Sequence, residues 1–222
     1  MREKYKKVQI VFMQWVASLI VMHIVFFGPE GSGKGTQAKL LADELHIPIL
    51  TSGDLVRDAA SNDKGIIGAV CKQALEEGKY VANSEMEVLW KWRLKEDDAK
   101  GAWIMDGYPR NVDQVKFLDD KIDKYGYKVE LVIFLDLPED VSYDRLIKRG
   151  RPMYPGSTEL HDSPERIKSR LAIYKEGEKE VLDYYTKSGA TLVHIDANKN
   201  IDEVHADIMK AVEECKKNTG CK

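Results

Sequence analysis

The sequence predicts an α/β fold, with a parallel five-stranded sheet flanked by helices and interrupted by an inserted, largely helical lobe and a short lid. Short apolar runs recur at HIVFF (23–27), IPIL (47–50), WIM (103–105), LVIFL (131–135) and TLVHI (191–195), separated by amphipathic segments of helix length. Strand alternating with helix implies a mostly parallel sheet covered on both faces. LVIFL is apolar throughout, as a strand buried on both sides requires. The second observation is GPEGSGKGTQ (28–37), a glycine-rich loop between the first apolar run and a helical pattern. The third is a pair of interruptions in the rhythm, at Leu55–Asn83 and at Gly150–Asp162.

Taken in chain order, the elements have local reasons. MREKYKK followed by a run without acidic or basic residues from Val8 to Phe27, His23 apart, has the form of a signal peptide or membrane anchor. His23–Phe27 is needed as the strand that enters the loop, leaving Val8–Met22, about 15 residues against the roughly 20 that span a bilayer. Residues 1–21 therefore read as a hydrophobic extension, either non-native or dispensable, with membrane association open only through residues 8–22. Met22 is a further possible start, so residues 22–222 form a single domain. Ala38, Leu40, Leu41 and Leu45 place a helix over Thr36–His46, its N-terminus pointing at the loop. Leu55–Asn83 is punctuated by GIIG and EEGK. Ser163, Pro164 and Glu165 read as an N-cap, a first-turn proline and a dipole-matched acid opening a helix to about Tyr185. A last helix covers about Ile201–Lys216. The 34 basic and 37 acidic residues give a net charge of -3, which excludes the broad positive field of a nucleic-acid binder. Cys71, Cys215 and Cys221 form no CxxC pair, so neither a disulfide framework nor a zinc site is expected, and the setting reads as a reducing cytoplasm.

The loop points to phosphate chemistry. Gly28 and Gly33 allow tight turns that aim successive N–H groups and a helix N-terminus at a polyanion, and Lys34 adds a point charge. The position after the lysine usually carries the Ser or Thr that ligates magnesium. Here it is Gly35, with the hydroxyl one residue late at Thr36. Glu30, a carboxylate beside a phosphate site, is expected to point outward.

Glycine after the lysine, together with TSGDLVRDA (51–59), EEGKYV (76–81), MDGYPRNVDQ (105–114), DRLIKRG (144–150) and HDSPERIKSRLAIY (161–174), resembles the adenylate kinases and their nucleoside monophosphate kinase relatives. The resemblance runs from Met22 to about residue 212. It implies a P-loop NTPase-type core with an acceptor (NMP-binding) lobe at 51–83 and a short lid at 150–162. The implied reaction is reversible phosphoryl transfer from ATP-Mg to AMP, giving two ADP. ATP would lie against Gly28, Gly31, Ser32, Gly33, Lys34, Gly35 and Thr36, with Arg145 on the base. AMP would meet Ser52, Gly53, Arg57, Lys79, Val81 through its backbone, Gly107, Arg110, Gln114 and Arg170, while ATP would also meet Arg149. Lys34, Arg110, Arg149, Arg170 and Asp106 would be catalytic, Arg149 and Arg170 clamping the moving phosphoryl. Magnesium would be held through waters near Asp106, with Asp54 either assisting or serving as a helix N-cap.

Ser52 and Gln114 match adenylate kinases, whereas the pyrimidine relatives tend to carry Ala and Asn, so AMP is expected over UMP or CMP. Many relatives have Arg-x-Asp-Asp before the long helix. ELHD (159–162) puts Glu159 in place of the arginine and His161 in place of the first aspartate, retaining Asp162. Arg151 or Arg166 could supply the lost cation; His161 reads as a solvated lid residue or a pH sensor. The expected partners are the two nucleotides, with no nucleic acid, for a monomer. A UMP/CMP kinase and a nucleotide-binding protein with impaired catalysis stay open as alternatives.

Overall fold

The computed structural model describes residues 22–153 and 158–219. The hydrophobic extension at 1–21, Cys221 and the middle of the lid lie outside the described residues. Five strands form one sheet in the order β2-β3-β1-β4-β5: β1 (His23–Phe27), β2 (Ile49–Thr51), β3 (Trp103–Asp106), β4 (Leu131–Asp136) and β5 (Thr191–Asp196). Every neighbouring pair is parallel.

β1 is buried along its whole length, and its alternation sorts the core. Val25 and Phe27 join Leu50, Trp103, Met105, Val132 and Phe134 on one face. Ile24 and Phe26 join Ile104, Leu131, Ile133 and Leu135 on the other. That second face is covered by α1 (Lys34–Leu45) and α8 (Ile201–Thr219), which contribute Leu41, Val204, Ile208 and Val212. Val115, Leu118 and Ile122 of α5 (Val112–Asp123) and Val181 and Tyr185 of α7 (Pro164–Ser188) pack on the first face. No helix among the described residues is long and apolar enough to cross a membrane.

Register brings the site together. Phe26 pairs with Asp106, and Asp106 with Thr51. The residues just beyond them, Gly28, Ser52 and Gly107, thus meet at the carboxyl edge, where open parallel sheets bind ligands.

The inserted lobe holds α2 (Ser52–Asn62) and α3 (Ile66–Glu77), and α4 (Asn83–Arg93) leads back to the core through Met86, Leu89 and Trp90. Three details correct the sequence reading. Strand β2 begins at Ile49 rather than Ile47, because Pro48 accepts from Ile104 N–H at 2.9 Å but has no N–H to return. Of the GIIG pair, Gly65 flanks α3 while Gly68 lies inside it, where a Cβ would fall 1.9 Å from the Asp63 carbonyl oxygen. Helix α2 starts at Ser52 with Thr51 at the N-cap, so Asp54 is a first-turn acid and not the cap. Ser163 does cap α7, accepting from the Arg166 N–H. Before it, Pro152 and Leu160 form an antiparallel bridge in the segment that follows α6 (Glu139–Arg149).

Candidate active site

The phosphate loop leaves β1 through backbone that L-residues avoid: Gly28 and Gly33 have φ of 139° and 90°. Packing adds a constraint at Gly28, where a Cβ would lie 2.6 Å from the Leu135 carbonyl oxygen. Gly33 caps α1, so the helix N-terminus opens onto the loop. Ser32 is buried with no hydrogen-bond partner for its hydroxyl among the described residues. Gly31, Gly35 and Thr36 complete the rim. Lys34 Nζ folds back and donates to the Gly28 and Pro29 carbonyls, 2.7 Å each. Burial pushes its pKa down to about 8, against the pull of Asp106 and Glu30.

Gly35 acquires a reason here. A Cβ at Gly35 would meet Asp106 Oδ2 at 3.3 Å, so the missing side chain lets the β3 carboxylate approach the loop. Burial raises the Asp106 pKa, although Lys34 and Arg110 act in the opposite direction. Among the described residues no group of three or more His, Cys, Asp or Glu is placed to hold a metal ion. The half-buried Asp106 carboxylate beside the loop suits a hydrated cation that arrives with nucleotide phosphates. Asp54 is engaged elsewhere, accepting from Arg57 Nη2 at 2.6 Å.

Beside the loop lies a cavity of about 430 Å³. Ser52, Gly53, Arg57 and Val56 line it from α2, Lys79 and Val81 from the end of the inserted lobe, and Gly107, Arg110 and Gln114 from the segment after β3. Ser52 Oγ donates to the Gly107 carbonyl at 2.7 Å. Gln114 accepts from the Arg110 N–H at 2.8 Å and donates to Asn83 Oδ1 at 2.8 Å, which leaves one of its N–H groups and one lone pair for a ligand. Arg110 donates from Nε to Gly107 O at 2.8 Å and stacks 3.8 Å from the centre of the Tyr80 ring. Lys79 is largely exposed and pairs with Glu77.

The remaining cations gather where the lid meets α7. Arg149 grips Asp162 with two parallel bonds of 2.8 and 2.9 Å. Arg170, fully buried, donates to Asp162 from Nη2 at 3.0 Å and contacts the His161 ring through Nη1. Burial alone would raise the Asp162 carboxyl, but bonds from His161 and Arg149 hold it well below the usual carboxylate range. Arg145 stands apart, donating to Ala197 O at 3.0 Å near Gly31.

A phosphate loop, a neighbouring pocket and a set of clustered arginines, Arg170 among them fully buried, suit a phosphotransferase with two nucleotide sites. Residues 26–190 match the family model described as adenylate kinase. The chain belongs to the adenylate kinase family. Adenylate kinase 1 of Nostoc sp. is 36% identical over 181 residues, covering 82% of this chain and 93% of its own length. The adenylate kinase of a Mycobacterium sp. is 37% identical over 191 residues, covering 86% and 99%. That of Methanosarcina barkeri is 34% identical over 215 residues, covering 86% and 98%. As an adenylate kinase, the chain is a nucleoside monophosphate kinase.

Two expectations for this adenylate kinase are overturned by packing. Glu30 does not point outward: Tyr80 Oη donates to its Oε1 at 2.8 Å and Arg170 Nε lies 3.1 Å from Oε2. His161 is not a solvated lid residue; its side chain is 13% exposed, and burial lowers its pKa, Arg170 and Arg151 adding to the effect and Asp162 opposing it. Of the substitute cations, Arg151 lines the cavity beside His161. Arg166 instead ties the lid to the inserted lobe, donating to Glu159 at 3.0 Å and to Glu76 O at 3.1 Å.

Tyr80, Asn83, Asn111 and Gly177 were not singled out by sequence. Asn111 had a readable signal: it caps α5, accepting from the Gln114 N–H three residues on, in the spacing of a capping box. Gly177 had none. A Cβ there would lie 2.9 Å from the Arg110 carbonyl oxygen, so the glycine lets α7 pack against the arginine's backbone.

Proposed function

We propose that this adenylate kinase moves the terminal phosphoryl group of ATP reversibly to AMP, giving two ADP. The observation that supports this most is the cavity bounded by Ser52, Arg57, Arg110 and Gln114, which opens beside the phosphate loop and the arginine cluster. ATP phosphates bind to the N–H groups of Gly28–Thr36 and to Lys34, which leaves its loop carbonyls to meet them. Arg145, over Gly31, takes the adenine side. Arg57 and Arg110 hold the AMP phosphate, and Lys79 and Val81 border the acceptor. Ser52 and Gly107 shape the floor, while Gln114 uses its spare donor and acceptor on the base edge.

An oxygen of the AMP phosphate attacks the terminal phosphorus in line, the bond to the bridging oxygen breaks, and ADP departs. Arg149 and Arg170 neutralise the charge on the moving group. Asp106 would hold a magnesium ion through waters, and the ion would supply neutralisation of phosphate charge. Closing the acceptor lobe (51–83) and the lid (150–162) excludes water, which would otherwise take the phosphoryl group. Free, buried Cys71 and Cys215 support a cytoplasmic setting.

A coupled assay of ADP formation on the full chain, with ATP-magnesium and AMP, UMP or CMP as acceptor, tests this reading. AMP is expected to exceed the pyrimidine nucleotides by about a hundredfold in kcat/KM. Equal rates with UMP or CMP would contradict it.

A further inference from the structure

The transfer reaction leaves Glu30 without a role, although it sits within the phosphate loop. Its side chain is 20% exposed, and that of its partner Arg170 1%. Burial alone would raise its pKa, but Arg170, Arg110 and the Tyr80 hydroxyl hold it below the ordinary glutamate value. It is therefore an anion at neutral pH. The pairing is close yet poorly aligned: Glu30 Oε2 and Arg170 Nε, 3.1 Å apart, are both buried without a hydrogen bond of good geometry among the described residues. Coulomb attraction holds them, while the donor capacity of Arg170 Nε stays unspent. A phosphoryl oxygen could accept that N–H along its axis.

The contacts of Glu30 span three parts of the site. Tyr80 belongs to the inserted lobe and carries the Arg110 guanidinium on its ring. Arg170 belongs to α7 and is held from its other side by Asp162. The loop itself is pinned by the Ser142 hydroxyl, which donates to the Glu30 carbonyl.

We propose that Glu30 is the resident anion of the phosphoryl site: its carboxylate occupies the arginine cluster of the free enzyme, is displaced by a substrate phosphate, and returns as product leaves. This rests on Arg110 and Arg170 serving substrate phosphates, as proposed above. Glu30 is thus a positioning residue that lowers phosphate affinity and speeds release. Binding becomes an exchange of one anion for another, so only part of the arginine attraction appears as affinity. Monoanions and weakly basic anions are excluded, since they gain too little from the arginines to displace a carboxylate already in place.

Calorimetric titration of the full chain, Glu30→Gln and Tyr80→Phe with AMP and with inorganic pyrophosphate tests this, alongside steady-state kinetics. Glu30→Gln is expected to bind both probes about tenfold more tightly, equivalent to about 1.4 kcal/mol. Tyr80→Phe, which frees the carboxylate but keeps the ring under Arg110, is expected to move affinity about threefold in the same direction. In Glu30→Gln both KM and kcat should fall, the signature of slowed release; damage to packing would raise KM. Unchanged or weaker binding of both probes in Tyr80→Phe would overturn the proposal even if Glu30→Gln fails to fold. Wild-type protein that binds pyrophosphate but makes no ADP would refute the transfer reaction, while the pyrophosphate titrations would still decide the role of Glu30.

Discussion

The acceptor cavity and the arginine cluster are neighbours held in opposite ways. In the cavity, Ser52 and Gln114 are fixed by neutral partners, the Gly107 carbonyl, the Arg110 N–H and the Asn83 amide, and the space between them is open. In the cluster, Arg149 and Arg170 are tied to the buried carboxylate of Asp162, and Arg170 also to the half-buried Glu30. Neutral bonds position a site without competing with its ligand. Ion pairs position it too, but a phosphate must then replace an internal anion. On the proposed reading, the acceptor side is ready for its substrate, and the transfer side is held until one arrives.

Substitutions on each side should separate these behaviours. The largest effect is expected from Lys34→Met, which removes the charge at the junction of both sites: kcat/KM for ATP and AMP should drop about a thousandfold, with the melting temperature little changed. Asp162→Asn should act on stability, because it leaves Arg170 buried beside a neutral amide. Chemical denaturation at neutral pH should show a loss of about 3 kcal/mol. The sign with pH follows from the depressed carboxyl of Asp162. Its stabilisation is fully present above the unfolded aspartate pKa near 4, and wild-type protein loses it as pH falls below that value, whereas Asp162→Asn has none to lose. Lys34 gives a third test. With its pKa lowered to about 8 in the free protein, bound phosphate raises it again. ATP binding between about pH 8 and 10 should therefore take up a proton, and affinity should fall about tenfold per pH unit. Calorimetry in buffers of different ionisation enthalpy reads that uptake, which Lys34→Met should abolish. The smallest effect is expected on the neutral side: Ser52→Ala, losing one bond to Gly107, should raise the KM for AMP about fivefold and leave kcat nearly unchanged.

The same contrast runs through what the sequence disclosed. The five strands, the phosphate loop and the Ser163 cap were legible because each carries its signal within a few residues. Ser52, Arg57, Arg110 and Gln114 were legible as a group only through the family resemblance, since the inserted lobe and β3 bring them together from separate segments. Glu30 and His161 were misread for one reason: whether a polar side chain faces solvent or a buried arginine depends on Arg170, which belongs to another helix. The start of β2 was misplaced because apolar character continues through Pro48 while the ladder lacks the donor that proline cannot supply. Gly177 was invisible because close approach of α7 to Arg110 is a property of packing.

A transfer side opened by substrate should pass a phosphoryl group to AMP and not to water. Phosphorus NMR of the full chain with magnesium, ATP and AMP tests it most directly, because ADP and inorganic phosphate give separate signals. ADP should accumulate to an equilibrium that can also be reached from ADP alone, with inorganic phosphate absent over the same period. Inorganic phosphate as the main product, or ATP left intact, would contradict it.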